Sequence, residues 1–124
     1  MSRLVRHGLV LAVALAALTA PLAAMAHAIV VGSSPGPKAS VAGPDVALKL
    51  DFNSRIDKAR SSFELVGPDG AVSRVPVALD GAPGVLEATA TGLAPGAWRL
   101  RWQVLSVDGH ITRGDIPFNV VITP

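Results

Sequence analysis

Residues 96–105 read Gly-Ala-Trp-Arg-Leu-Arg-Trp-Gln-Val-Leu, and their alternation indicates the fold class. The apolar side chains of this stretch fall on one face: Trp98, Leu100, Trp102 and Val104. A period of two is that of a β-strand, whose successive side chains point to opposite faces of a sheet. The stretch therefore predicts a strand that packs on a core with one face and meets solvent with the other.

Further runs with apolar residues at alternate positions lie on both sides of this strand, separated by turns that contain glycine or proline. Together the predicted strands are 28–32, 46–52, 62–66, 72–78, 85–90, 97–105 and 116–122. No segment after residue 26 sustains a helical period. Short strands at such spacing predict an all-β sandwich of about seven strands, as in immunoglobulin-like domains.

The first 26 residues have the layout of a helical signal peptide. Arg3 and Arg6 give a positive start, an apolar run covers residues 9–22, and Ala24-Met25-Ala26 offers small residues to signal peptidase. The run is short for a membrane span, which takes about 20 residues. We expect cleavage after Ala26 and an exported domain of residues 27–124, with an uncleaved N-terminal anchor as the alternative.

The exported domain carries no excess charge. The chain has 11 basic and 9 acidic residues. Cleavage removes the two basic residues Arg3 and Arg6, so the numbers of basic and acidic residues in the domain are equal. No basic patch with interleaved aromatic residues is present, so we expect no nucleic-acid partner. The chain has no cysteine, which excludes disulfides and thiolate metal ligands.

After cleavage His27 becomes the first residue of the domain. Its free amine and its Nδ1 atom can then bind one metal ion together, and a divalent cation can displace the amine's proton near neutral pH. Before cleavage the same nitrogen is an amide and a poor ligand. The alternative is that a histidine follows the cleavage site by chance.

Asp108 and His110 follow the predicted strand of residues 97–105, with Gly109 between them. Residues two apart in an extended segment point the same way, so this carboxylate and imidazole can act as a pair of metal ligands. The alternative is an Asp-Gly turn in which His110 is merely solvated. If the fold brings His27 alongside, the donor set suits Cu(II), whereas zinc prefers a tetrahedron and Cu(I) prefers sulfur. Both methionines of the chain lie within residues 1–26.

The chain resembles the CopC family of periplasmic copper-binding proteins. The resemblance rests on His27 directly after the cleavage site, on Ser-Ser-Pro at 33–35 and on Leu-Lys-Leu-Asp-Phe at 48–52. It rests above all on a tryptophan strand that runs into the pattern S-x-D-x-H-x-x-x-G, present here as Trp102, Ser106, Asp108, His110 and Gly114. Ser54 stands where some members have a glutamate near the copper.

The resemblance implies a Greek-key β-sandwich or barrel that binds one Cu(II) per monomer in a histidine brace. The implied ligands are the amine and imidazole of His27, together with Asp108 and His110; whether Asp108 or water completes the copper plane stays open. The implied function is a periplasmic copper carrier or buffer in copper resistance or homeostasis, not an enzyme. The implied partner is an inner-membrane copper transporter of the CopD type.

Two other functions stay open at this point. A brace-type copper oxygenase would need a broad substrate face with exposed aromatic side chains, but all the aromatic residues fit the apolar phases of predicted strands: Phe52, Phe63, Trp98, Trp102 and Phe118. A metal-free immunoglobulin-like interaction module would explain the strands and leave the three candidate ligands to coincidence.

Overall fold

The computed structural model describes residues 27–122, a range that contains eight β-strands and no helix. The strands are β1 (Val30–Ser34), β2 (Ala39–Ala42), β3 (Val46–Phe52), β4 (Ile56–Val66), β5 (Val72–Val75), β6 (Val85–Ala90), β7 (Gly96–Ser106) and β8 (Ile111–Val121). Accordingly, no helix that could cross a membrane occurs between residues 27 and 122. The expected signal peptide, residues 1–26, lies outside the described residues.

The strands form two sheets, one with the order β1-β3-β6 and one with the order β2-β8-β7-β4-β5. Consecutive strands lie in different sheets at every connection except β4 to β5 and β7 to β8, so the sheets are interlocked. The predicted all-β sandwich is confirmed, with one strand more than expected. The extra strand is β2, which pairs in parallel with the end of β8.

The core lies between the sheets and is built from the alternating positions that the sequence indicated. On β3 the side chains of Val46, Leu48, Leu50 and Phe52 are all buried. The largest side chains that are fully buried come from both sheets: Phe63, Phe118, Leu48, Leu50, Leu65, Leu86, Leu100, Val104 and Val120. Each such side chain contributes roughly 1.5–3 kcal/mol by leaving water, so this core stabilises a domain that has no disulfide.

Two strands, β4 and β8, begin several residues earlier than the pattern predicts. β4 begins at Ile56 rather than at residue 62, because a bulge between Asp57 and Ser62 interrupts its alternation. The Ser61 hydroxyl donates to the Asp57 carbonyl at 2.7 Å and accepts from the Leu105 amide at 3.1 Å, which anchors the bulge to β7.

β8 begins at Ile111 rather than at residue 116. Its first half holds Gly114, which lies opposite Trp102 on β7. A Cβ atom at Gly114 would lie 2.5 Å from Cζ2 of the Trp102 indole, so only glycine lets this ring lie against β8. Phe52 meets the same ring edge-on, with ring centroids 5.6 Å apart. Gly114, the glycine of the S-x-D-x-H-x-x-x-G pattern, therefore has a packing role.

Candidate metal centre

The segment before β1 is fixed to the connection between β3 and β4. Ala28 is completely buried. The Ile29 amide donates to Oδ1 of Asn53 at 2.8 Å, and the Asn53 amide donates to the Ile29 carbonyl at 3.0 Å. His27 lies immediately before these anchored residues and is exposed.

The connection between β7 and β8 is a tight hairpin loop. The Ser106 carbonyl accepts the Gly109 amide at 2.9 Å, and the Ser106 amide donates to the His110 carbonyl at 2.9 Å. Gly109 has a φ of 93°, a conformation that glycine adopts without strain. A turn followed by a left-handed glycine is a common three-residue hairpin loop. The Asp-Gly turn that the sequence left as an alternative is present, and it still brings Asp108 to His110.

Asp108 lies between the serine and the histidine of this loop. One carboxylate oxygen, Oδ2, is 3.1 Å from Nδ1 of His110. The other, Oδ1, accepts a hydrogen bond from the buried hydroxyl of Ser106 and lies 3.3 Å from the His110 amide. The hydrogen bond from Ser106 is the main cause that lowers the pKa of Asp108 below its ordinary value of 3.8. Partial burial opposes this shift, and the contacts with His110 add to it, so Asp108 is a carboxylate at neutral pH.

The rings of His27 and His110 are in contact, with centroids 4.5 Å apart and planes at 79°. Because Nδ1 of His110 faces the Asp108 carboxylate, Nε2 is the ring nitrogen that stays available to a ligand. The fold thus brings together the three side chains that the sequence singled out: His27 touches His110, and His110 touches Asp108.

The donor chemistry fits a divalent ion that prefers nitrogen and oxygen. Residues 27–122 contain neither cysteine nor methionine, so no sulfur ligand competes within this range. The same range contains no group of three His, Asp or Glu side chains already spaced to hold one metal ion. Both oxygens of Asp108 are engaged, by Ser106 and by His110. A carboxylate in that position typically orients a metal-binding imidazole.

Two features of the site had no signal in the sequence. Asn53 follows a predicted strand and gives no hint that it binds Ile29. The Arg55 carbonyl accepts the Val107 amide at 3.3 Å, a contact that depends on backbone geometry alone. The hydroxyl of Ser54 is buried and has no hydrogen-bond partner among residues 27–122.

Comparison with known proteins agrees with this architecture. Residues 30–121 match the sequence model of the CopC domain. The chain is 32% identical over 116 residues to "Copper resistance protein C" of Xanthomonas campestris pv. juglandis, a match that covers 87% of this chain and 91% of that protein. It is 24% identical over 103 residues to "Copper transport protein CutJ" of Bacillus subtilis, which covers 81% of this chain but 19% of that longer protein.

A solved structure is also similar to this chain. The crystal structure of CopC from Methylosinus trichosporium OB3b is similar with a TM-score of 0.71 and 30% identity, over 79% of this chain and 97% of that one. The family match begins where β1 begins, at Val30, and ends where β8 ends, at Val121. It therefore covers both sheets of the sandwich. The chain belongs to the CopC family.

Proposed function

We propose that this chain is a periplasmic Cu(II)-binding protein that carries or buffers copper for resistance or homeostasis. The observation that carries the proposal is the contact between the His27 and His110 rings, which come from opposite ends of the domain. The names of the relatives, a copper resistance protein and a copper transport protein, support copper as the cargo. The proposed activity is binding, with no catalytic step.

The proposed ligands are the amine and the Nδ1 atom of His27 and the Nε2 atom of His110, with Asp108 beside them. Asp108 holds Nδ1 of His110 and so fixes the ring with Nε2 directed away from the carboxylate. An oxygen of Asp108 or a water molecule supplies the remaining position. Three nitrogen donors and one oxygen donor are a set that favours Cu(II) over Cu(I).

Export and copper binding are linked in this proposal. The amine of His27 exists only after cleavage at Ala26, so the cytoplasmic precursor lacks one of the ligands. The proposed receiver is an inner-membrane copper transporter of the CopD type. CutJ supports this partner, because the region that matches this chain is there one part of a much longer copper transport protein.

The test is a copper titration of the exported protein. The full-length chain is expressed with export, the protein is purified, and mass spectrometry establishes that it begins at His27. We expect one Cu(II) per chain and an axial electron paramagnetic resonance spectrum with nitrogen couplings. His110→Ala should weaken binding by on the order of a hundredfold or more, because it removes a ligand outright.

Asp115→Asn is the matched control, since Asp115 is a half-exposed carboxylate on β8, the strand that follows the loop of His110, and it pairs with Arg99 and Arg101. This variant should bind copper as the unmodified protein does. Equal affinity of His110→Ala and the unmodified protein would overturn the proposal.

A further inference from the structure

We propose that Asn53 is the positioning residue of the metal centre and that its side chain holds the N-terminal ligand in place. This inference rests on the proposed function, because it assigns the element that orients His27. The short connection between β3 and β4, residues 53–55, then serves as the template on which both halves of the site are assembled.

Asn53 pairs with Ile29 through both its backbone and its side chain. Val30 pairs with Phe52 in the antiparallel ladder of β1 and β3, so Ile29 and Asn53 are the next pair along. The Asn53 amide still donates to the Ile29 carbonyl at 3.0 Å. The amide of Ile29, however, donates to the side-chain Oδ1 of Asn53, at 2.8 Å. A side-chain oxygen thus extends the ladder by one residue beyond the strand.

This extension ends close to the proposed ligand. Ala28 is the residue between the clamped Ile29 and His27, and it is completely buried. A chain terminus without such anchors is usually poorly ordered. With Ile29 bonded on both sides and Ala28 in the core, only the torsions next to His27 remain free to direct its amine and ring.

The same connection also contacts the β7–β8 loop. The Arg55 carbonyl accepts the amide of Val107, in the loop that carries Asp108 and His110, at 3.3 Å. Residues 53–55 are therefore bonded both to the segment of His27 and to the segment of His110. Holding two ligand segments in register before the metal arrives reduces the ordering cost of binding.

The experiment is a two-by-two comparison of Cu(II) dissociation constants. Asn53→Leu removes the acceptor with little change in size. A glycine inserted between Ala26 and His27 moves the free amine off the histidine after cleavage. We expect Asn53→Leu to raise the Kd about tenfold when His27 is the first residue, on the order expected for one lost hydrogen bond. In the glycine-extended background we expect it to have no further effect.

Two additional variants separate positioning from general damage. Asn53→Asp keeps an oxygen that accepts the Ile29 amide and should bind copper within about twofold of the unmodified protein. Asn119→Leu is the matched control, because Asn119 is an exposed asparagine on β8, outside the three segments that form the site. It should leave the Kd unchanged.

The inference is overturned if Asn53→Leu weakens binding equally in both backgrounds, if it has no effect in either, or if Asn53→Asp is as weak as Asn53→Leu. A different result bears on the proposed function itself. If the inserted glycine leaves the Kd unchanged while Asn53 is intact, the amine of His27 is not a ligand, and both proposals fail together.

Discussion

The Asp108 side chain is held in its ionised form by its neighbours in the β7–β8 loop. The Ser106 hydroxyl donates to one carboxylate oxygen, and Nδ1 of His110 lies 3.1 Å from the other. Hydrogen bonds to a carboxylate favour the charged form, which is why the pKa of Asp108 falls below its ordinary value. The serine of the S-x-D-x-H pattern therefore supports the aspartate.

This lowered pKa predicts how stability depends on pH. The stabilising contribution of Asp108 is present above its unfolded-state pKa and is lost as pH falls through the lower pKa of the folded state. Asp108→Asn should therefore unfold more easily than the unmodified protein at pH 7, in the absence of metal. The difference in free energy of unfolding should shrink as the pH approaches 2. Urea unfolding across this range measures it.

The control for this measurement is Asp115→Asn, which removes an exposed aspartate of β8 that has no serine or histidine partner among residues 27–122. Its effect should be small at every pH. A difference between Asp108→Asn and the unmodified protein that stays constant from pH 7 to pH 2 would contradict the assigned role of Asp108.

The β7–β8 loop depends on the backbone of Gly109 as much as on its side chains. A φ of 93° is costly for any residue with a Cβ atom. We expect Gly109→Ala to lower the free energy of unfolding by about 1–2 kcal/mol, as measured by chemical denaturation.

Gly36→Ala is the comparison for this loop variant, since nothing lies within 4 Å of a Cβ atom at Gly36 and its φ is not in the left-handed region. It should change the free energy of unfolding by less than about 0.5 kcal/mol. If the two alanine variants are equally stable, the loop can form without a left-handed residue, and the turn does not require glycine at position 109.

Strands were predictable where their alternation is unbroken. β3 and β7 follow the apolar pattern closely, because each presents one face to the core throughout its buried part. β2 is only four residues long and pairs at the rim of its sheet, which gives too few positions for a pattern. The early parts of β4 and β8 were not predicted. A bulge interrupts the alternation of apolar residues in β4, and Gly114, which has no side chain, interrupts it in β8.

Trp102 packs against Phe52 of the opposite sheet, and Gly114 on the neighbouring strand makes room for its ring. A methyl group at Gly114 would lie 2.5 Å from the indole ring, so the ring must move. We expect Gly114→Ala to destabilise the protein by about 1–3 kcal/mol, the usual cost of overpacking. Denaturation followed by tryptophan fluorescence measures both the stability and the displaced indole.

Gly36→Ala again provides the comparison, because both substitutions add one methyl group. A Gly114→Ala protein with unchanged stability and unchanged fluorescence would show that β8 can shift without cost. In that case packing against Trp102 would not explain why a glycine ends the S-x-D-x-H-x-x-x-G pattern.

The candidate site is assembled from three segments that are distant in sequence: the residues before β1, the β3–β4 connection and the β7–β8 loop. The sequence predicted the candidate ligands, His27, Asp108 and His110, because of their residue types and because of the family pattern. It did not reveal Asn53 or the Arg55 carbonyl. Such contacts arise from how strands are placed in three dimensions, and side-chain periodicity carries no information about that placement.

We propose that a free amine on His27 completes a copper site with the β7–β8 loop. The most direct measurement is the Cu(II) dissociation constant of the exported protein that begins at His27, compared with that of the same protein carrying one glycine before it. We expect at least about hundredfold weaker binding for the extended protein, with loss of the amine's nitrogen coupling from the paramagnetic resonance spectrum. Equal dissociation constants and identical spectra would contradict it.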